Sequence, residues 1–339
     1  MRRFPPASVI MVLIIVLIIV AVIAVRSFAL GNPYQIPAQE ITQTSASCEQ
    51  SHLGPGEYIR KIKSGGRERS YLIHVPPGYV AGKQAPLVLN LHGGGGNAFN
   101  QREQSQMDPV SDANGFILVY PNGSGTGFFK NRLLTFNAGM CCGYAQKQNI
   151  DDVAFIRTLL DDVGRNFCVD PRRVFSTGFS NGAIMTHRLG CELSDRIAAI
   201  APVSGPIGVD SCHPSRPVPV MEFHGTADPF APYHGGPVKA LSGKDIHQYR
   251  SVDDTIAGWV QRDHATGATE TTFKKGAVTC VTHNAGPDGA PVTLCTIEGA
   301  GHTWPGGVST ASEKKVGPVN HDISAGQMIW SFFDKHPMP

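Results

Sequence analysis

Arg173-Val174-Phe175-Ser176-Thr177 runs directly into Gly178-Phe179-Ser180-Asn181-Gly182, and a helix-like stretch follows. The order is strand, tight turn, helix, with a serine at the turn. In a G-x-S-x-G turn of this kind the serine takes a strained backbone conformation that lifts its hydroxyl above the sheet edge. Glycine on either side removes the side chains that would collide where strand and helix converge. The pentapeptide alone is a weak signal in a chain with 38 glycines. Its context decides its meaning.

Working outward, residues 86–91 (Pro-Leu-Val-Leu-Asn-Leu) and 116–120 (Phe-Ile-Leu-Val-Tyr) are short, near-continuous apolar runs. That pattern belongs to strands covered on both faces. Further strands are expected at 174–178, 197–203, 218–223 and 292–297, with helices at 151–167, 182–193, 253–263 and 322–335. Helix 151–167 is the clearest, since Val153, Ile156, Leu160, Val163 and Phe167 recur at three- and four-residue spacing. Asp151 or Asp152 can cap it. Residues 58–63 and 69–75 read as a hairpin around Ser64-Gly65-Gly66-Arg67. Strands alternating with helices imply right-handed crossovers and a mostly parallel sheet with helices on both faces, opened here by an antiparallel hairpin. This is the α/β-hydrolase plan, and residues 56–339 are assigned to it.

In that plan the catalytic groups follow in the order Ser, Asp or Glu, His, the last two on loops after later strands. After 218–223 comes His224-Gly225-Thr226-Ala227-Asp228-Pro229, and after 292–297 comes Gly299-Ala300-Gly301-His302-Thr303-Trp304. Ser180, Asp228 and His302 are therefore the candidate triad: nucleophile, orienting carboxylate and base. His224 is the nearest alternative base; it, His187 and His92 read as structural. Acyl transfer also needs donors for a developing oxyanion. The Asn181 N–H, directly after the serine, is one candidate, and Gly94 in His92-Gly93-Gly94-Gly95-Gly96-Asn97 is the other. A phosphate-cradling loop is disfavoured because no Gly-Lys-Ser/Thr follows. Trp304, two residues past His302, either walls a substrate pocket or packs in the core. No C-x-x-C pair is present, so no metal site is expected. The chemistry needs no cofactor.

The 339 residues, 41% hydrophobic, suffice for one large domain. A formal net charge of +2 gives no reason to expect a nucleic-acid partner. The N-terminus differs from the rest: Arg2 and Arg3 precede an unbroken apolar run over residues 9–25. As a helix it would span roughly 25 Å, slightly under the ~30 Å hydrocarbon core. Ser27-Phe28-Ala29 offers a small-x-small cleavage site. Residues 1–29 thus read as a signal anchor, which would make the membrane a partner, or as a cleaved signal. Residues 30–55 read as a polar linker, and the remainder as extracytoplasmic. Eight cysteines, an even count, suit disulfides in such a compartment. Cys280 and Cys295 face each other across an expected hairpin and form the candidate pair.

Several segments together resemble the polyhydroxybutyrate depolymerase/feruloyl esterase family of secreted α/β-hydrolases. They are His92-Gly93-Gly94, Gly178-Phe179-Ser180-Asn181-Gly182, His224-Gly225-Thr226-Ala227-Asp228 and His302-Thr303-Trp304-Pro305-Gly306, with Phe136-Asn137-Ala138-Gly139-Met140-Cys141-Cys142-Gly143 and Asp170-Pro171-Arg172-Arg173-Val174. The resemblance covers roughly residues 56–336. It implies a serine carboxylic ester hydrolase with Ser180, Asp228 and His302 as triad, acting on a small or oligomeric ester. It also implies that one of Cys141 and Cys142 (Cys142 is the candidate) bonds Cys191. The choice among hydroxyalkanoate, feruloyl and short acyl esters stays open. The same triad would serve an envelope acyltransferase, and a non-catalytic, membrane-anchored binding module is the remaining alternative.

Overall fold

The computed structural model describes Cys48 and residues 53–126, 132–239, 246–309 and 311–339. The apolar run 9–25 and most of the polar linker lie outside the described residues. Ten strands form one sheet: β1 (Gly56–Ser64), β2 (Arg67–Val75), β3 (Ala85–Leu91), β4 (Ile117–Pro121), β5 (Val169–Phe179), β6 (Ala199–Val203), β7 (Val220–Gly225), β10 (Thr269–Lys275), β11 (Val278–His283) and β12 (Val292–Ile297). A separate pair, β8 (Gly236–Lys239) and β9 (Ile246–Tyr249), is antiparallel. The large sheet runs in the order β1-β2-β4-β3-β5-β6-β7-β12-β11-β10. Strands from β4 to β12 are parallel, with an antiparallel pair at each edge. The eight helices among the described residues are α1 (Ala98–Ser105), α2 (Asp108–Asn114), α3 (Gly143–Lys147), α4 (Asp152–Asn166), α5 (Asn181–Glu192), α6 (Val252–Arg262), α7 (Glu313–Val316) and α8 (Ala325–Phe333). The α/β-hydrolase expectation holds.

Every residue of β3 and of β4 is buried. The period-2 geometry of a strand sorts them into two apolar layers. Leu87, Leu89, Leu91, Ile117 and Val119 join the layer that holds Phe155 and Ile156 of α4 and Trp259 of α6. Val88, Leu118 and Tyr120 join the opposite layer with Ile329, Trp330 and Phe333 of α8. The β1–β2 hairpin closes with Ser64 opposite Arg67. Gly65 and Gly66 both have positive φ (56° and 72°), which a tight two-residue turn demands.

Asp151 caps α4, its side chain accepting from the Ala154 N–H at 2.8 Å. Asp152, the alternative cap, does something else. It is fully buried, pairs with Arg69 at 2.6 Å and accepts from the Asn137 N–H at 2.7 Å.

The disulfides correct one expectation. Cys280 and Cys295 are bonded, as read, because they are register partners on β11 and β12. Cys191 does not bond Cys142. At the end of α5 it meets Cys212, at a Cα separation of 4.9 Å, because the chain after β6 returns past the helix end. Cys142 meets its neighbour Cys141. Cys48 bonds Cys168 just before β5, so the end of the 30–55 linker is stapled to the domain. Leu53 packs on the core, and the Tyr58 hydroxyl donates to the Gly54 carbonyl. Described residues ahead of Gly56 therefore already pack on the domain. With all eight cysteines paired, the domain belongs to an oxidising, extracytoplasmic compartment. No helix among the described residues is long and apolar enough to cross a membrane.

On β2, His74 Nδ1 is 2.6 Å from Glu57 Oε1 and Nε2 is 2.8 Å from Asp112 Oδ1. Burial opposes the charged imidazole, but these bonds and the nearby Asp108 outweigh it and raise the pKa to about 8. A pKa above the unfolded value means stabilisation that is complete below about 6.5 and is lost as pH rises through 8. Allowing for solvent screening, His74→Gln is expected to cost about 1 kcal/mol at pH 6 and little at pH 9. Urea denaturation at the two pH values checks this, and equal losses at both would contradict it.

Candidate active site

Ser180 sits between β5 and α5 with φ 55° and ψ −119°, a conformation an L-residue adopts only under constraint. The constraint is visible. Its N–H donates to the Val203 carbonyl at 2.9 Å, and its own carbonyl accepts from Ile184 at 3.0 Å. The flanking glycines are sterically required. A Cβ on Gly178 would lie 2.7 Å from the Gly182 carbonyl oxygen, and one on Gly182 would lie 2.2 Å from that of Leu91.

Ser180 Oγ lies 2.8 Å from His302 Nε2, and His302 Nδ1 lies 2.7 Å from Asp228 Oδ2. An ionised carboxylate only accepts, so Nδ1 carries the imidazole proton and Nε2 is free to accept from the serine hydroxyl. Asp228 is fixed at its other oxygen by the Phe230 and Ala231 N–H groups, both at 2.8 Å. Burial pushes the Asp228 pKa up, but the His302 imidazole and these bonds prevail and hold it below the usual carboxylate value. His302 is braced through its backbone, whose N–H donates to the Val316 carbonyl at 2.5 Å. A Cβ on Gly301 would lie 2.0 Å from that same carbonyl oxygen, so only glycine fits before the histidine. The Phe179 and Phe230 rings flank the imidazole at 4.7 and 5.4 Å.

The glycine loop after β3 lies against the serine turn. A Cβ on Gly93 would approach Ser180 Cβ at 3.4 Å, and one on Gly94 would approach Asn181 Cβ at 3.6 Å. Gly95 and Gly96 spend their N–H groups on the carbonyls of Leu134 and Gly93. Asn181 is the first residue of α5, where an N–H has no intrahelical acceptor and the helix end carries partial positive charge. Its side chain, overlooked in the sequence, clamps the 136 loop: Oδ1 accepts from the Phe136 N–H at 2.8 Å and Nδ2 donates to the Phe136 carbonyl at 3.0 Å. His92 props the glycine loop, donating from Nδ1 to the Gly93 carbonyl and accepting the Gly123 N–H at Nε2. Burial lowers its pKa to about 4, so it is a neutral ring.

A cavity of about 800 Å³ opens over Ser180 and His302. Its aromatic walls are Phe179, Phe230, Tyr144 and Tyr249. Trp304 is not among the lining residues. A turn closed by the Gly307 N–H on the Trp304 carbonyl sends the indole, 1% exposed, into the same apolar layer as Ile329 and Trp330. Tyr249 could not be found by motif, because it lies on the small strand β9 far along the chain.

Residues 69–242 match the esterase PHB depolymerase family. The chain belongs to that family. Feruloyl esterase B of Piromyces equi is 31% identical over 239 residues, covering 69% of this chain and 42% of that protein. The putative esterase NocK of Nocardia uniformis subsp. tsuyamanensis is 30% identical over 287 residues, covering 80% of this chain and 81% of NocK. Feruloyl esterase C of Emericella nidulans is 28% identical over 246 residues, 70% and 82% of the two chains. This chain thus spans less than half of the Piromyces protein but most of the other two. Among solved structures, acetyl xylan esterase from Aspergillus awamori shares the fold with a TM-score of 0.54 at 15% identity, over 81% of this chain and 98% of that one. The chain thus carries an esterase PHB depolymerase family domain on an α/β-hydrolase fold.

Proposed function

We propose that this family member hydrolyses carboxylic esters through an acyl-enzyme, with Ser180 as nucleophile, His302 as base and Asp228 as the carboxylate that orients it. The carrying observation is the continuous chain Ser180 Oγ–His302 Nε2 (2.8 Å) and His302 Nδ1–Asp228 Oδ2 (2.7 Å) ending on a strained serine. Ser180 Oγ attacks the ester carbonyl while His302 Nε2 takes its proton. The oxyanion is received by the N–H groups of Asn181 and Gly94. As the intermediate collapses, the proton passes from His302 to the departing alcohol. Water then repeats the sequence on the acyl-serine and regenerates Ser180. Asp228, ionised and fixed by two backbone N–H groups, holds the imidazole in the required tautomer and stabilises its cation.

For the substrate we propose an ester with an aromatic acyl group, of the hydroxycinnamoyl kind. The feruloyl esterase relatives and the aromatic walls of the cavity support this. The test is a panel of p-nitrophenyl acetate, p-nitrophenyl butyrate, methyl ferulate and a soluble hydroxybutyrate oligomer, with product analysis in the presence of acceptor alcohols. Ser180-dependent turnover with the highest kcat/KM on methyl ferulate is expected. Preference for the oligomer would move the substrate to hydroxyalkanoates, and predominant transfer to the acceptor would replace hydrolysis by acyl transfer. We also infer that residues 9–25 anchor the enzyme at the outer face of a membrane. A mature N-terminus found just after Ala29 would sink that assignment.

A further inference from the structure

Behind the triad lies a second row of buried titratable side chains that the mechanism above does not use. Glu222 and His224 are on β7 and His187 is on α5, all fully buried. Trp259 Nε1–H donates to His187 Nδ1 at 2.9 Å. The proton of this imidazole is therefore on Nε2, which faces Glu222 Oε2 at 3.5 Å. The other oxygen of Glu222 is 3.2 Å from His224 Nδ1, and His224 Nε2 is 2.7 Å from the Ala231 carbonyl oxygen.

A carbonyl oxygen only accepts, so His224 Nε2 must carry a proton. The His187 N–H lies 3.5 Å from one oxygen of Glu222, and the balance of bonds and charges favours the carboxylate beside His224 over a neutral acid, so His224 Nδ1 carries a proton as well. A ring donating at both nitrogens is an imidazolium. Burial works against both charges, yet the bonds and mutual attraction raise His224 above its ordinary pKa and lower Glu222 below its own.

His224 reaches the triad twice. Its Nε2 is 3.7 Å from Asp228 Oδ2, the oxygen that accepts from His302. The carbonyl it holds belongs to Ala231, whose N–H fixes Asp228 Oδ1. We infer that His224, kept as an imidazolium by Glu222, is a positioning residue that pins the Asp228 loop and moderates the negative charge Asp228 presents to His302. The inference rests on the esterase reading. The charged groups facing the row are Asp228 and, when protonated, His302. Tyr233, edge-on to His224 at 5.9 Å, and Tyr249, whose pKa burial raises to about 12, stand beside it as neutral phenols.

Removing the cation makes the potential at His302 more negative and favours its protonated form. The acid limb of the kcat/KM profile reports the essential base of the free enzyme, so it moves to higher pH. In His224→Gln the amide can still donate to the Ala231 carbonyl but carries no charge. The limb is expected to move up by roughly half to one pH unit, with KM for p-nitrophenyl butyrate unchanged. That variant strands the Glu222 carboxylate, so the Glu222→Gln/His224→Gln double variant carries the test if it fails to fold. There the nearer charge to Asp228 still disappears, and the limb moves up by less. A limb at the wild-type pH in the folded variants, or one moved to lower pH, overturns the inference. No turnover of any ester by the wild type would instead overturn the esterase reading.

Discussion

Ser180→Ala is expected to lower kcat/KM by about 10⁴- to 10⁶-fold, because the three residues act as a unit and loss of the nucleophile disables all of them. The melting temperature should stay the same or rise slightly. The backbone strain at φ 55° is imposed by the Val203 and Ile184 hydrogen bonds and by the close strand–helix approach, none of which involves the hydroxyl. Alanine also removes a polar group whose partner is the His302 Nε2 lone pair alone. Retained activity in a variant of wild-type stability would place the nucleophile elsewhere. Residual turnover over water is expected from the oxyanion donors and binding.

Gly182→Ala is expected to destabilise the serine turn strongly, costing about 3 kcal/mol or more. The new Cβ would lie 2.2 Å from the Leu91 carbonyl oxygen and 2.7 Å from that of His92. Both are backbone atoms, so relief requires α5 to move away from the end of β3. That movement would carry Ser180 and Asn181 away from the glycine loop. Stability and activity should therefore fall together, unlike in Ser180→Ala. Urea denaturation with parallel esterase assays separates the two patterns. Wild-type stability of Gly182→Ala would mean that strand and helix do not converge as described.

The parts of the fold that were legible in the sequence are those where burial leaves a local pattern. β3 and β4 are buried throughout and read as apolar runs, and α4 shows its core stripe at helical spacing. β10 was missed because its residues are mostly exposed and polar, held only by pairing with β11. α1 was missed for a similar reason: its buried positions include Gln101 and Ser105, which hydrogen bonds to Asn90 rather than apolar periodicity place there. Long-range pairings had no local trace. Arg69 and Asp152 are 83 residues apart, and Cys191 finds Cys212 only through the path of the loop after β6.

The same division runs through the site. Ser180, Asp228 and His302 were legible because each follows a strand that ends at one edge of the sheet, so chain order alone brings them together. Glycine placement gave the loop beside Asn181. Whether Trp304 walls the pocket or packs in the core could not be read from the sequence, because proximity to His302 says nothing of direction, which the Gly307 turn sets toward the core. The Glu222–His224 pair gave no signal, since a buried carboxylate two residues from a histidine on a strand looks like any alternation.

Rapid mixing with p-nitrophenyl butyrate, followed by acid quench and peptide mass analysis, tests the central claim most directly. A burst of p-nitrophenol matching the enzyme concentration, with the butyryl group on the peptide carrying Ser180 and absent in Ser180→Ala, is the predicted result. An active enzyme that shows no acyl adduct, or carries it on another residue, would contradict the account.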